Sequence, residues 1–589
     1  MLQWRGISDH AAWFRRGVLF VNLLPPQLAR LIHDAIRAAQ AAGDLPDFDL
    51  PGTISVQRSS KPELGDYASP IALQLAKPAR RKPVEVAQAI ARHMPQADFV
   101  GSVEAAGPGF LNIRLAEDWV LQQVNEMIAA GENVFGMDLG RGKTAQVECV
   151  SANPTGPITV GRTRGGVIGS TMANVLAALG YRVEMEYYFN NAGRQMQLLG
   201  RSLQARYLQA LGLPAGLPED GYQGDYLIAV ADRLIEMHGN ALVDESWERF
   251  KDEAEAAMFE WIRQSLDRIN IRFDVFFNEN SVYEDGSVWR TLEQLEARGY
   301  VYRAVVREGA TDEERARMKE NSQEAVWFRS TALGDEEDRV LVKASGEPTY
   351  VLPDITYHMN KLDRGFSFLI NVLGADHIIE AQTVARGLQA VGYDPTPVHV
   401  LLHQFVTLVE GGQQRRMSTR RGEFVTLDEL VEDVGADVVR YFILARSPTS
   451  HLEFDLDLAR QHANENPVYY IQNAHVRCAG IFRQAAERHF SDDDADLTLL
   501  GEQERAFIRK MLELPEVLMQ CYEELGPHKL AFYALDLARL FHPMYDAVRV
   551  LHSEVPEPVA KARLRLYGAA RVVFKRLLTL MGMSAPEVM

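Results

Sequence analysis

Cysteine is scarce in this 589-residue chain: Cys149, Cys478 and Cys521 are the whole complement, too far apart for a C-x-x-C pair. That rules out a thiolate zinc knuckle and fits a reducing, cytoplasmic compartment. Long apolar runs are also missing. The run from Val18 to Leu24 is broken by Asn22 and stopped by Pro25-Pro26, short of the roughly 20 residues a membrane span needs. Arg15 and Arg16 precede it, but no small-residue cleavage site follows, so residues 1–24 read as an atypical extension rather than an export signal. Positive charge is not in excess. The net charge of −18 is the opposite of the basic footprint of a protein that coats nucleic acid. No low-complexity tract occurs, and 47% apolar with 24% charged residues is a globular composition. A chain of this length divides into about three or four domains.

What is present centres on one loop, S-A-N-P-T-G-P-I-T-V-G-R-T-R-G-G from Ser151 to Gly166. An alternating strand, Q-V-E-C-V, leads into it. A helical pattern burying Val167, Ile168, Val175, Leu176 and Leu179 leads out and stops at Gly180, and Y-R-V-E-M-E-Y-Y-F resumes as a strand. Strand, Gly-rich loop, helix and strand open a doubly wound parallel sheet, which takes its ligand at the strands' carboxyl ends. Such a loop suits an anion. The glycines at 161, 165, 166 and 169 never give G-x-G-x-x-G, which argues against a dinucleotide. G-M-D-L-G-R-G-K-T at 136–144 has one residue too many for a P-loop and precedes the strand it should follow.

Around this core the chain reads as an α/β multidomain protein. Residues 25–120 form an α+β module, from the helical L-A-R-L-I-H-D-A-I-R-A-A-Q to the strand F-L-N-I-R-L. Residues 140–445 form the sheet domain, with a charged, mainly helical insertion at about 200–340 that carries a hairpin-like G-Y-V-Y at 299–302. F-S-F-L-I-N-V-L-G-A-D-H and V-H-V-L-L-H-Q-F-V-T-L-V return to the sheet as buried-strand runs, and residues 446–589 read as an all-α bundle. Two basic clusters, K-P-A-R-R-K-P at 77–83 and R-R-M-S-T-R-R at 415–421, are either solvated surface or phosphate-facing patches.

The pairing of N-P-T-G-P-x-x-V-G-x with R-M-S-T-R-R-G much later resembles class I aminoacyl-tRNA synthetases, and among them the arginyl-tRNA synthetase family. Further segments are similar in the family's order: G-D-Y-A-S-P-I-A-L-Q-L-A-K, A-A-G-P-G-F-L-N-I-R-L, E-Y-Y-F-N-N-A-G-R-Q, G-E-P-T-Y-V-L-P-D-I-T-Y-H, G-A-D-V-V-R-Y-F-I-L-A-R and N-E-N-P-V-Y-Y-I-Q-N-A-H-V-R. The resemblance implies a Rossmann-like catalytic domain with a helical insertion, and activation of L-arginine by ATP with Mg²⁺, followed by transfer to tRNA(Arg). It also implies a monomer, and the cysteine spacing and broken apolar run add the expectation of no zinc and no membrane partner. Because the substrates supply the attacking groups, the protein's work is orientation and charge stabilisation, which agrees with the lack of a convincing Ser-His-Asp or Cys-His arrangement. Glu148, Asn153, Tyr350 and Asp354 would surround arginine, with Asp354 on the guanidinium and Asn153 on the amino-acid end. Tyr350 and Asp354 share a face if the segment is helical. Gly374, Asp376 and His377 would hold adenosine. Phe110 and Asn112, the basic Lys77, Arg80 and Arg81, and Tyr469 or Tyr470 would meet tRNA, the aromatics by stacking.

Two departures stand out. Where the family carries His-x-Gly-His this chain has Thr159-Val160-Gly161-Arg162, and where it carries Lys-Met-Ser-Lys this chain has Arg416-Met417-Ser418-Thr419, followed by Arg420. Arg162, Arg164, Arg416 and Arg420 replace the missing donors with fixed positive charge, Thr159 keeps a hydroxyl, and Gly161 keeps the backbone open at a helix start. Two readings follow. One is an active enzyme with an arginine-rich phosphate clamp, and the other a degenerate relative that binds tRNA or arginine without activating it.

Overall fold

The computed structural model describes residues 23–59, 61–316, 323–414 and 425–589. The chain forms two compact units. A terminal unit combines the residues up to Arg141 with Ala178–Tyr181 and His462–Met589, and a central unit takes Gly142–Ala177 and Arg182–Gln461.

The terminal unit opens on the helix Leu24–Ala41, with proline in its first turn, where the missing amide leaves no bond unmade. Leu28, Ile32, Ala35, Ile36 and Ala39 give it one buried stripe. The strands β1 (Gln57–Arg58), β2 (Tyr67–Ser69), β3 (Val100–Ala106) and β4 (Phe110–Leu115) form an antiparallel sheet in the order β1-β2-β4-β3. Alternation along β4 buries Leu111, Ile113 and Leu115 and leaves Phe110 and Asn112 half-exposed on the other face.

From Pro467–Glu487 to Glu557–Leu580 the chain is helical. Its core centres on Phe541, with ring centroids 5.7 Å from Phe507, 5.6 Å from Tyr567 and 5.4 Å from Phe574. The sequence reads the amino-terminal module and this bundle as separate domains, but here they pack into one body. The Tyr67 hydroxyl donates to Glu516 at 2.6 Å, the Arg58 guanidinium reaches Glu516 and the Leu512 carbonyl, and Arg509 Nε meets Asp66 at 2.9 Å.

The central unit holds five parallel strands: β5 (Thr144–Glu148), β6 (Arg182–Phe189), β7 (Val275–Asn278), β11 (Phe368–Gly374) and β12 (Val398–His403), in the order β12-β11-β5-β6-β7. From β5 the chain winds outward through β6 and β7, then returns to β5's other side as β11. The crevice at a switch of this kind lies beyond the carboxyl ends of β5 and β11. The helix Val160–Ala178 crosses between β5 and β6, and Gly169 permits its close approach. A Cβ there would stand 2.6 Å from that of Cys149.

Three details differ from the sequence reading. The range 200–340 is not a pure insertion, because β7 within it is the edge strand of the parallel sheet. The 299–302 element is no hairpin: β8 (Val301–Ala304) pairs with the distant β9 (Ala325–Phe328), which pairs in turn with β10 (Arg339–Val342). The run V-H-V-L-L-H-Q-F-V-T-L-V is two strands, since the chain leaves the parallel sheet after β12 and enters a smaller sheet as β13 (Val406–Glu410). There β13 lies between β14 (Gln413–Gln414) and β15 (Leu452–Asp455). The parallel β13–β15 pairing keeps the chain in the central unit as far as Gln461, beyond the expected boundary at 445. Among the described residues no helix is long and apolar enough to cross a membrane.

Candidate functional site

The exit of β5 is held in a tense conformation. Val150 and Ser151 both have positive φ, 68° and 41°, a region that costs a β-branched residue energy and persists only where its surroundings enforce it. Those surroundings are visible. Ser151 Oγ donates to Glu148 at 2.9 Å, Tyr187 Oη donates to the Ala152 carbonyl at 2.8 Å, and Asn153 Oδ1 accepts from the Asn190 amide at 3.0 Å. Further along, Tyr226 Oη donates to the Thr155 carbonyl at 2.8 Å. The loop then enters the helix Val160–Ala178, where Gly161 and Arg162 are the exposed residues of the first turn and nearly everything after them is buried. A helix N-terminus with bare amides and a guanidinium beside it favours an anion. Half-buried Thr159 bridges to Thr426, and the Val160 and Leu427 amides bond to the carbonyls of Val425 and Ile158.

Arg164 does not join this anion-facing group. Its side chain is fully buried, and the guanidinium donates to the carbonyls of Gln404, Phe405, Ser447 and Ser450 at 2.7–3.2 Å. Burial lowers its pKa to about 10. Arg164 therefore braces two turns and is not a donor to ligand, which corrects the count of free cations made from the sequence. Arg416, Met417, Ser418 and Arg420 lie outside the described residues.

Asp354 occupies the first turn of the helix Val351–Asp363, and its amide bonds to the carbonyl of Tyr350, an exposed residue at the helix start. Down the same helix His358 and Lys361 form a buried polar stripe. His358 Nδ1 donates to the Asp354 carbonyl at 2.7 Å, which leaves Nε2 to accept from Asn371 at 2.6 Å. Burial, and then the charge of Lys361, push this imidazole down to about 3, so it is neutral. Lys361 Nζ, with no exposed side-chain surface, donates to Asn371 at 2.8 Å and to Glu148 at 2.6 Å. Glu148 is therefore already balanced by a cation and also accepts from Ser151. Deeper still, Glu186 accepts from Tyr357 and from Arg364.

Asp354 has no such partner. Burial first, then the charges of Glu380, Glu148 and Glu279, hold its carboxyl well above the usual carboxylate range. Burial likewise raises Glu279, against hydrogen bonds from Tyr188 and Asn190. The Tyr188 hydroxyl lies 2.8 Å from Glu279 and 3.5 Å from Asp354. Among the described residues no lysine or arginine forms an ion pair with Asp354 or Glu279. A carboxylate group this crowded, beside others already neutralised, fits a cation that arrives as ligand.

Asn153 is exposed and donates to Gln195 at 3.0 Å. Gly374 ends β11, Asp376 beyond it is exposed, and His377 Nδ1 lies 2.8 Å from Glu380, which links this turn to the acidic group. Tyr188, Glu279, Glu380 and Lys361 were not singled out from the sequence. The D-x-x-x-H-x-x-K spacing of 354, 358 and 361 puts the three on one side of the helix and was a readable sign of a polar stripe, whereas Glu279 carried no sign.

In the terminal unit, Lys77, Arg80 and Arg81 are exposed around the end of the helix Ile71–Ala79, and Phe110 and Asn112 share one face of β4. Tyr469 is half-buried with its hydroxyl against His462. Tyr470 packs on His542, with ring centroids 4.3 Å apart. Among the described residues no group of three or more His, Cys, Asp or Glu could hold a metal ion.

Comparison with known proteins divides the chain into three matched regions. Residues 26–115 match the family described as arginyl tRNA synthetase N terminal domain, 123–440 the class I (R) tRNA synthetase catalytic domain, and 471–589 the DALR anticodon binding domain. The arginine–tRNA ligase of Desulforudis audaxviator is 41% identical over 583 residues, covering 95% of this chain and 98% of that protein. That of Salinibacter ruber is 41% identical over 576 residues, covering 94% and 98%. The solved arginyl-tRNA synthetase of Thermus thermophilus, 23% identical, shares the fold with a TM-score of 0.72, covering 95% of this chain and 100% of that one.

Proposed function

This chain belongs to the arginyl-tRNA synthetase family, and on that premise we propose how its site carries out the reaction. The protein is an arginine–tRNA ligase. The arginine carboxylate attacks the α-phosphorus of ATP, the bond to the β-phosphate breaks, and arginyl-adenylate and pyrophosphate form. A hydroxyl of the 3′-terminal adenosine of tRNA(Arg) then attacks the activated carbonyl and releases AMP. ATP enters as its magnesium complex, the metal held mainly by phosphate oxygens and water.

The observation that carries the residue assignment is the uncompensated carboxyl of Asp354. A guanidinium is a planar, permanently charged fork matched by coplanar acceptors, and Asp354 receives it. Glu148, held by Lys361, adds negative charge behind it, Tyr350 borders the entrance, and Asn153 meets the amino-acid end. Thr159, Gly161 and Arg162 serve the phosphates, a task also assigned to Arg416, Met417, Ser418 and Arg420, while Gly374, Asp376 and His377 take the adenosine. Lys77, Arg80, Arg81, Phe110 and Asn112 contact tRNA from the amino-terminal module, and Tyr469 or Tyr470 does so from the helical bundle. The same reading has the protein act as a monomer in the cytoplasm.

Arginine-dependent exchange of pyrophosphate into ATP, run with and without tRNA(Arg), tests the reading, and charging of the tRNA completes it. Exchange is expected only with tRNA present. Folded protein that never charges its tRNA would instead support binding without activation. Within the same assay Arg162→Ala is expected to lower turnover about tenfold, the roughly 1.5 kcal/mol of a charged hydrogen bond, with the KM for arginine little changed. An equal loss in arginine affinity would place Arg162 in the wrong half of the site.

A further inference from the structure

His403 is the last residue of β12 and lies in register with Gly374, the last of β11. Both therefore stand at the carboxyl edge of the sheet, where ligands of such sheets bind. The imidazole leans across to the helix Val160–Ala178. A Cβ on Gly165 would be 3.0 Å from Nε2 and 3.6 Å from Cδ2, so the ring edge rests where only glycine leaves room. Gly165 comes one helical turn after Arg162. The turn that follows His403 is held rigidly, since Arg164 donates to the carbonyls of Gln404 and Phe405.

The ring's hydrogen-bonding character can be read from its partner. Nδ1 lies 3.2 Å from the Gln404 carbonyl, which can only accept, so Nδ1 carries the proton of the neutral ring. Burial, helped by the charges of Arg164 and Arg162 and opposed by the Gln404 hydrogen bond and the charge of Asp376, lowers the pKa from its ordinary value and favours the neutral ring. Nε2 is then an acceptor, with no hydrogen-bonding partner among the described residues. A phosphate oxygen, itself an acceptor, is the wrong match for it. A hydroxyl or amino group is the right one.

We propose that His403 is a nucleotide contact whose Nε2 accepts a hydrogen bond from the adenosine half of ATP, from a ribose hydroxyl or the adenine amino group. This rests on the assignment of the 374–377 turn and the first turn of Val160–Ala178 to ATP. It gives this chain a histidine in its nucleotide site although Thr159 and Arg162 stand where the family's histidines are expected.

The test is calorimetric titration of the full-length protein with ATP, 2′-deoxy-ATP, 3′-deoxy-ATP and purine riboside triphosphate, for wild type, His403→Ala and His403→Gln. His403→Ala is expected to weaken ATP about tenfold, and one analogue lacking the relevant donor should bind wild type equally weakly and lose nothing further in the variant. His403→Gln, which keeps an acceptor, should recover most of the affinity, and arginine binding should stay unchanged in both variants. Unchanged ATP affinity in His403→Ala, or the same penalty for every analogue in wild type and variant, overturns the contact. Wild-type exchange activity reports separately on the arginine-activation reading, so a failure of that reading is distinguishable from a failure of this one.

Discussion

Asp354→Asn is expected to lower kcat/KM for arginine by two to three orders of magnitude while leaving the protein at least as stable as wild type at neutral pH. The loss follows from removing a buried carboxylate from a desolvated charge pair, a change of about 2–5 kcal/mol. The stability follows from the sign of the pKa shift. In the free protein burial and the neighbouring Glu380, Glu148 and Glu279 hold this carboxyl above its unfolded value. The folded state therefore binds more protons, and stability falls as pH rises from the ordinary carboxylate range through the raised pKa. An amide removes that cost.

The same shift predicts how arginine binding depends on pH. The guanidinium requires the ionised carboxylate, so wild-type arginine affinity should climb as pH rises through the raised pKa and then level off. The dependence should vanish in Asp354→Asn. Steady-state exchange at several pH values, alongside thermal melts, reads both effects. A variant that melts early and keeps the pH dependence would remove Asp354 from its assigned role.

Lys361→Met should be the opposite kind of variant, one that damages the fold. Lys361 has no exposed side-chain surface and ion-pairs with Glu148 at 2.6 Å. Deleting one member of a buried pair leaves the other charge uncompensated, at a cost of about 3–5 kcal/mol. Asn371 would lose its donor as well, and with it the bond that orients its amide toward His358. Urea unfolding followed by circular dichroism should show the midpoint falling in the single variant. Adding Glu148→Gln should restore much of it, because the stranded charge is then gone. A midpoint equal to wild type in the single variant would contradict the pairing.

How much of this was readable from sequence differs by element. The helical pattern from Val167 to Leu179, its stop at Gly180 and the strand-like Y-R-V-E-M-E-Y-Y-F were enough to place β6 and the helix before it, because period and cap are local properties. Family resemblance then ordered the rest. The failure over Arg164 is instructive. An arginine in a glycine-rich loop reads as exposed charge, and only the assembled turns at 404–405 and 447–450 bring four carbonyls to it. Glu279 and Glu380 were missed for a similar reason, being short-range unremarkable and placed by the end of β7 and by the first turn of the helix Ile378–Val391. The central unit runs past 445 to Gln461 because β15 joins a strand from before it, and such pairing has no local trace.

The contacts of Tyr67, Arg58 and Asp66 with Leu512, Glu516 and Arg509 bear on how the chain matures. During synthesis the first of these groups leaves the ribosome several hundred residues ahead of the second. Until the helices that carry Arg509 and Glu516 emerge, a phenol, a guanidinium and a carboxylate of the amino-terminal module lack the partners that cover them. The central unit has meanwhile been made in full, so the terminal unit closes last, by a contact of very long sequence separation, a kind of closure that is slow. A nascent chain halted before residue 516 would hold a finished parallel sheet and an amino-terminal module still waiting for its other half.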